Sequence, residues 1–148
     1  MKKPVGAQAT QTKTFSVHDS CKARWERGIQ DSVRALVKEI GYEIEEMEYS
    51  REKTRCCGMG GMMPYADIEL SSKITKLRIG EAPHDMLTYC LGCREAFAAY
   101  KKPAVSILDL IFNPNWEEAN LQAPKTGKIR RENQAKLKTL IQENLAEK

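Results

Sequence analysis

The absences in this chain narrow the field first. No run approaches the roughly 18 apolar residues that a membrane-spanning helix needs, so no span is expected. The opening residues "MKKPVGAQATQTK" carry two lysines but no apolar stretch after them. That excludes a secretory signal or an anchor as the reading of this segment, and a cytoplasmic location is the expectation. There is no internal repeat, no low-complexity block, and no basic stripe interleaved with aromatics. The net charge is only +4, and much of the excess sits at Lys2, Lys3 and Lys13 and in "KTGKIRRENQAKLK". A small, spread surplus of this kind reads as solubility and helix faces, not as a nucleic-acid surface. At 148 residues, with 41% hydrophobic and 30% charged, the chain is long enough for one domain with its own core.

Five cysteines are present: Cys21, Cys56, Cys57, Cys90 and Cys93. The odd number argues against a pure disulfide framework, and so does a cytosolic location. Cys56 and Cys57 are also a poor disulfide pair. Neighbouring Cα atoms lie about 3.8 Å apart across a trans peptide, whereas unstrained disulfides want about 4.4–6.8 Å. Metal ligands or redox thiols are the better reading.

Periodicity supplies the framework. Residues 1–12 read as a mobile tail, 13–113 as a single domain, and 114–148 as a polar linker with an amphipathic helix. "TFSVHD" alternates Phe15 and Val17 against polar neighbours, which predicts a strand ending just before Cys21. Ile29, Val33, Leu36, Val37 and Ile40 recur at helical spacing, and Gly41 stops that helix. "YEIEEMEY" predicts a second strand. "SSKITKLRIG" predicts a helix capped by Ser71 or Ser72, with Ile74 and Leu77 on its inner face. "DMLTYC" predicts a third strand ending on Cys90. "LGCREAFAAY" opens a helix with Cys93 in its first turn and Phe97 and Tyr100 inward. "PAVSILDLIF" reads as a short strand running into a helical turn. In "IRRENQAKLKTLIQENLAEK", Leu137, Leu140, Ile141 and Leu145 form one stripe of a terminal helix that docks on this domain or on a partner. Alternating strands and helices predict an α/β fold of three layers around a small parallel sheet.

That topology has a chemical consequence. Parallel strands deliver their carboxyl ends to one edge, where ligands bind. Cys21 follows the first strand, Cys56 and Cys57 the second, Cys90 and Cys93 the third. Five sulfurs from three loops are therefore expected at one edge. Zinc takes four ligands in a closed tetrahedral site, as does an ordinary cubane iron–sulfur cluster, so either leaves one cysteine spare. Adjacent residues of an extended backbone point to opposite sides, so Cys56 and Cys57 suit two irons of one cluster better than one ion. Gly58, Gly60 and Gly61 are candidate cofactor-binding residues, because they permit positive φ and offer N–H groups to thiolate or sulfide. Met59, Met62 and Met63 either shield such a centre or fill space around the loop. Lys53, Arg55 and Arg94 are near enough in sequence to offset its charge.

The spacing brings a resemblance. "HDSC" at residues 18–21, "CCGMGG" from Cys56 and "YCLGC" ending at Cys93, with 34 residues between Cys21 and Cys56 and 32 between Cys57 and Cys90, resemble the cysteine-rich CCG domain. That domain occurs in a subunit of heterodisulfide reductase, in iron–sulfur subunits of glycolate and lactate oxidases, and in a thiol:fumarate reductase subunit. The resemblance covers roughly residues 14–112. It implies a non-cubane [4Fe–4S] cluster ligated by Cys21, Cys56, Cys57, Cys90 and Cys93, with zinc or an ordinary cluster as the alternative. It implies electron transfer, a disulfide or thiol substrate, and ferredoxin-type iron–sulfur or flavin subunits as partners. Family proteins usually hold two such domains in tandem, often with ferredoxin-type clusters; this sequence holds one and no ferredoxin motif. Two rival readings stay open: a zinc-stabilised assembly domain, and a metal-free CxxC thiol–disulfide oxidoreductase using Cys90 and Cys93.

No catalytic side chain stands out. His18 either tunes the site or is a hydrogen-bonded histidine at a strand end, and the second reading is favoured. His84, in the "EAPHD" turn, is expected to be exposed. Trp25 and Trp116 read as packing or interface anchors.

Overall fold

The computed structural model describes residues 13–117 and 126–146. The expected tail at 1–12 and the middle of the linker lie outside the described residues. The remainder is α/β. A four-stranded, all-parallel sheet runs in the order β2-β1-β3-β4, with β1 Thr14–His18, β2 Glu43–Glu45, β3 Asp85–Thr88 and β4 Ala104–Ser106. Helix α1, Arg27–Glu39, links β1 to β2. The short α2, Met63–Ala66, and the longer α3, Ile68–Gly80, lead from β2 to β3. Helix α4, Leu91–Ala99, leads from β3 to β4, and α5, Ile107–Phe112, follows at once. A final helix, α6, spans Thr126–Ala146, and Leu137, Leu140 and Ile141 are largely exposed along it.

Side chains alternate across a strand, and here the alternation separates two unlike layers. Phe15 and Val17 of β1, Leu87 of β3 and Val105 of β4 face α1 and α5. They pack with Val33, Val37, Ile40, Tyr42, Leu110 and Trp116 into an apolar core. Phe15 sits 5.5 Å from the Tyr42 ring and 5.6 Å from Trp116, whose Nε1 donates to the Tyr42 hydroxyl at 3.2 Å. Phe15→Ala should cost about 3–5 kcal/mol of stability, the usual cost of emptying a buried aromatic site. Chemical denaturation of the metal-free chain checks this.

The opposite face is built differently. Met86 and Ala104 pack with Phe97, Ala96, Met47, Cys57 and Cys93. Yet Ser16, His18, Thr88 and Ser106 are buried there too. Helix α3 covers this side with Ser71, Thr75 and Arg78, all buried, while Leu77 is exposed. The expectation that Ile74 and Leu77 form the inner face is therefore corrected. The surface beneath α3 consists of backbone carbonyls and an imidazole, and these require hydrogen-bond donors. The cap is corrected as well: Asp67, not Ser71 or Ser72, accepts the Leu70 N–H at 2.9 Å, so the helix starts a turn earlier. In α4, Phe97 is fully buried but Tyr100 caps the helix and is partly exposed. His84, expected in solvent, is half-buried and bonds Glu45 at 2.7 Å.

Candidate metal centre

The chain leaves β1 for β2 on one side and returns to β3 on the other. The β1/β3 pair is thus the point where strand order reverses, the usual place for a ligand in an open α/β sheet. His18 and Thr88 are paired at the ends of those strands. Just beyond them lie Cys21, in a 3-10 turn at Cys21–Ala23, and Cys90, which caps α4. The loop after β2 brings Cys56 and Cys57 to the same edge.

The five thiols form a continuous group. Cys56 interacts with Cys21, Cys57 with Cys93, and Cys93 with Cys90. Cys57 and Cys93 are buried, whereas Cys21, Cys56 and Cys90 are half-buried, so the group has a closed floor and a rim open to solvent. The adjacent cysteines serve different neighbours: Cys56 lies with Cys21, and Cys57 lies with Cys93 and His18.

Charge at the floor is shared unequally. Hydrogen bonding to Cys93 holds the Cys57 thiol well below the ordinary cysteine range, and His18 and the Met59 N–H lower it further against the cost of burial. The same bond to Cys57, with burial, pushes Cys93 up. The pair therefore holds one thiolate readily and gives up its second proton only to something strongly electropositive. Burial also raises Cys21, and neighbouring Cys56 adds to the effect. Metal binding to thiolates releases protons, so this site is poised for its first ligand and resists an empty, fully ionised state.

One carboxylate ties the three cysteine-bearing segments together. Asp19, fully buried, receives both Nη atoms of Arg34 at 3.0 and 2.9 Å, the Arg51 N–H at 2.6 Å and the Tyr89 hydroxyl at 3.1 Å. Its own carbonyl accepts from Thr54 Oγ1 at 2.7 Å. Burial works against this carboxylate, yet Arg34, Arg51 and Tyr89 outweigh it and keep Asp19 below the usual aspartate range. Arg24 adds bonds to the Glu52 and Thr54 carbonyls at 3.2 and 2.8 Å. Removing Asp19 leaves Arg34 its pair with Glu46 at 2.8 Å but takes the acceptor from the Arg51 N–H and the Tyr89 hydroxyl, and a buried group left unsatisfied costs about 1–3 kcal/mol. Asp19→Ala should therefore destabilise the metal-free chain by about 3 kcal/mol. Denaturant melts and metal retention under chelator are the checks, and both should worsen together.

The CCG loop rests on α3. Thr75 Oγ1 donates to the Cys57 carbonyl at 2.8 Å, and Ser71 Oγ donates to the Gly58 carbonyl at 2.8 Å. Gly58 has φ +86° and donates its N–H to Cys56 Sγ at 3.3 Å. Gly61 also has positive φ, at +65°, but it and Gly60 have open space around them. Met59 and Met62 are substantially exposed. Among the expected cations, Lys53 is exposed, Arg55 bonds Glu81 and stacks on Tyr49, and Arg94 pairs with Asp109 at 3.5 Å. The deepest cation is instead Arg78, fully buried behind His18. Sequence reading passed over Arg78, Thr75 and Asp19. For the first two a signal existed: Ser71, Thr75 and Arg78 recur at the i, i+4, i+7 spacing of one helix face.

A cluster that needs several sulfurs and nearby N–H donors fits this donor set. Thiols come from three loops, Cys57 is poised as thiolate, the Gly58 N–H donates to Cys56 Sγ at 3.3 Å, and the His18 ring lies beside Cys57 and Cys93.

Comparison with known proteins agrees with that chemistry. Residues 15–98, more than half of the chain, match the family model of the CCG cysteine-rich domain. A Chromohalobacter salexigens protein named "probable membrane-anchored ferredoxin" is 32% identical over 71 residues, covering 48% of this chain and 11% of its own length. A Bacillus subtilis protein named "probable iron-sulfur-binding oxidoreductase" is 35% identical over 71 residues, 47% of this chain and 10% of its own. A Syntrophomonas wolfei protein named "EtfAB:quinone oxidoreductase" is 32% identical over 87 residues, 57% of this chain and 11% of its own. The chain thus spans about a tenth of the length of these relatives.

Proposed function

This chain belongs to the CCG cysteine-rich domain family, and on that premise we propose that it is an iron–sulfur subunit for electron transfer, of heterodisulfide reductase type. The ligands in this reading are Cys21, Cys56, Cys57, Cys90 and Cys93, holding a non-cubane [4Fe–4S] cluster. The observation that carries it is the gathering of five thiols from three loops at the β1/β3 switch point, with Cys57 already stabilised as thiolate. When bound, the cluster supplies single electrons, and two of them with two protons split a disulfide into two thiols. The chain's own residues do the rest. Cys57 and Cys93 form the buried floor, the half-buried Cys21, Cys56 and Cys90 form the accessible rim, and Asp19 holds their segments in register.

Partners enter the reading through the same geometry. Trp25, Met62, Tyr65 and Leu91 are exposed in the very segments that carry the thiols. A ferredoxin-type or flavin subunit approaching the rim would cover them. None of the described helices is long and apolar enough to cross a membrane. A cytoplasmic setting belongs to the reading because working thiolates need a reducing compartment.

A second reading is a single zinc ion. It draws on His18, Cys57 and Cys93, which are buried and offer ligand atoms all within 4.8 Å of one another. It leaves the Cys21–Cys56 pair without a purpose.

The test is redox. The anaerobically isolated chain should lose visible absorption on reduction, and a small organic disulfide should restore it. Restoration by a one-electron dye but not by any disulfide would limit the chain to electron carriage. No visible absorption in either state would overturn the reading.

A further inference from the structure

His18 lies at the centre of this site without a settled role. Its ring is fully buried and meets the Phe97 ring edge-on at 4.9 Å. Arg78 Nε lies 3.1 Å from His18 Nδ1. A guanidinium only donates and stays protonated, so Nδ1 is the nitrogen with the lone pair. In a neutral imidazole the proton then belongs to Nε2.

Nε2 has no hydrogen-bond partner among the described residues. The groups near the ring are the sulfurs of Cys57 and Cys93. A buried N–H left unsatisfied costs about 1–3 kcal/mol, and a thiolate is an acceptor that removes this cost. A nitrogen that carries its proton has no lone pair for a metal, and the lone pair of Nδ1 is taken by Arg78. Arg78 is itself braced: its Nη1 bonds Glu81 at 2.8 Å, and Glu81 also bonds Arg55.

We propose that Arg78 locks His18 in the Nε2–H tautomer, and that His18 is a positioning residue that donates a hydrogen bond to the Cys57 sulfur and raises the reduction potential of the centre, without ligating metal. The effect on potential rests on the iron–sulfur reading above; the tautomer does not. The sign follows from charge. Reduction adds negative charge to the sulfurs, and a donor stabilises it, so losing the donor lowers the potential.

The chain has two histidines, so a long-range ¹H–¹⁵N spectrum of the reduced, metal-free protein shows two imidazoles, and His84→Gln assigns them. His18 should show a protonated Nε2 and an unprotonated Nδ1. A protonated Nδ1 would overturn the proposal. In the iron-loaded protein, His18→Gln keeps a donor near Nε2 and should retain a potential close to the parent's. His18→Leu removes the donor and should shift the potential negative. Loss of iron from a cooperatively folded His18→Gln protein, which keeps the donor, would make His18 a ligand and overturn the proposal. An unshifted potential would overturn the tuning role. If His18→Leu does not fold, the imidazole spectrum of the parent decides the tautomer, and His18→Phe, a ring without a donor, decides the tuning role by the same negative shift. A chain that takes up no iron would remove the proposed function while the imidazole spectrum still decides the tautomer.

Discussion

Cys57→Ser should strip the site of its iron and sulfide while leaving the fold in place. Cys57 is the thiol on which the floor converges: Cys93, His18 and the Met59 N–H all meet it. Serine keeps the size but stays protonated near neutral pH, so the thiolate that starts metal binding is gone. Losing a mere hydrogen-bond partner around a metal costs about 10–100-fold in affinity, and losing a ligand should cost at least that. Iron per chain and visible absorption should fall by about tenfold or more after anaerobic loading, with the far-ultraviolet dichroism unchanged. Retention of the parent spectrum would remove Cys57 from the ligand set and favour a four-sulfur site.

Gly58→Ala should be the second severe change, and for a backbone reason. At φ +86° an L side chain is strained, and the added methyl would meet Thr75 Oγ1 at 2.6 Å and the Ser71 carbonyl at 2.7 Å. The second contact is with the backbone of α3, which cannot swing aside as a side chain can. Positive φ alone costs about 1–2 kcal/mol, and relieving the clash requires the loop to lift from the helix. That lift would break the Thr75 and Ser71 bonds to the Cys57 and Gly58 carbonyls, each worth about 1 kcal/mol. A loss of about 3–4 kcal/mol is expected in denaturant melts, with metal retention reduced as Cys57 moves. Gly60→Ala is the control: it has open space and no positive φ, so its melt should match the parent.

These two residues also mark what the sequence made legible. The cysteines announced themselves as a set because strand periodicity placed each group in the segment after a strand, and a parallel sheet has only one carboxyl edge. Helix α1 was legible too, but of its five periodic apolar residues only Val33, Val37 and Ile40 reach the apolar core, while Ile29 and Leu36 are exposed. Helix α3 was not. Its buried stripe is Ser71, Thr75 and Arg78, so a search for apolar periodicity chose the exposed Leu77 instead. The rule failed where the helix packs on the CCG loop and His18, surfaces that ask for donors. Local rules tend to break at functional sites. Asp19 was illegible for another reason: its partners Arg34, Arg51 and Tyr89 come from three separate segments, and no local pattern joins them.

The central claim is one cluster held by five sulfurs, and metal content tests it most directly. The chain should be expressed and isolated without oxygen, and iron, acid-labile sulfide and zinc measured per chain alongside the visible spectrum. The expected result is a coloured protein with about four iron and four sulfide and negligible zinc. A colourless protein carrying about one zinc per chain would contradict it.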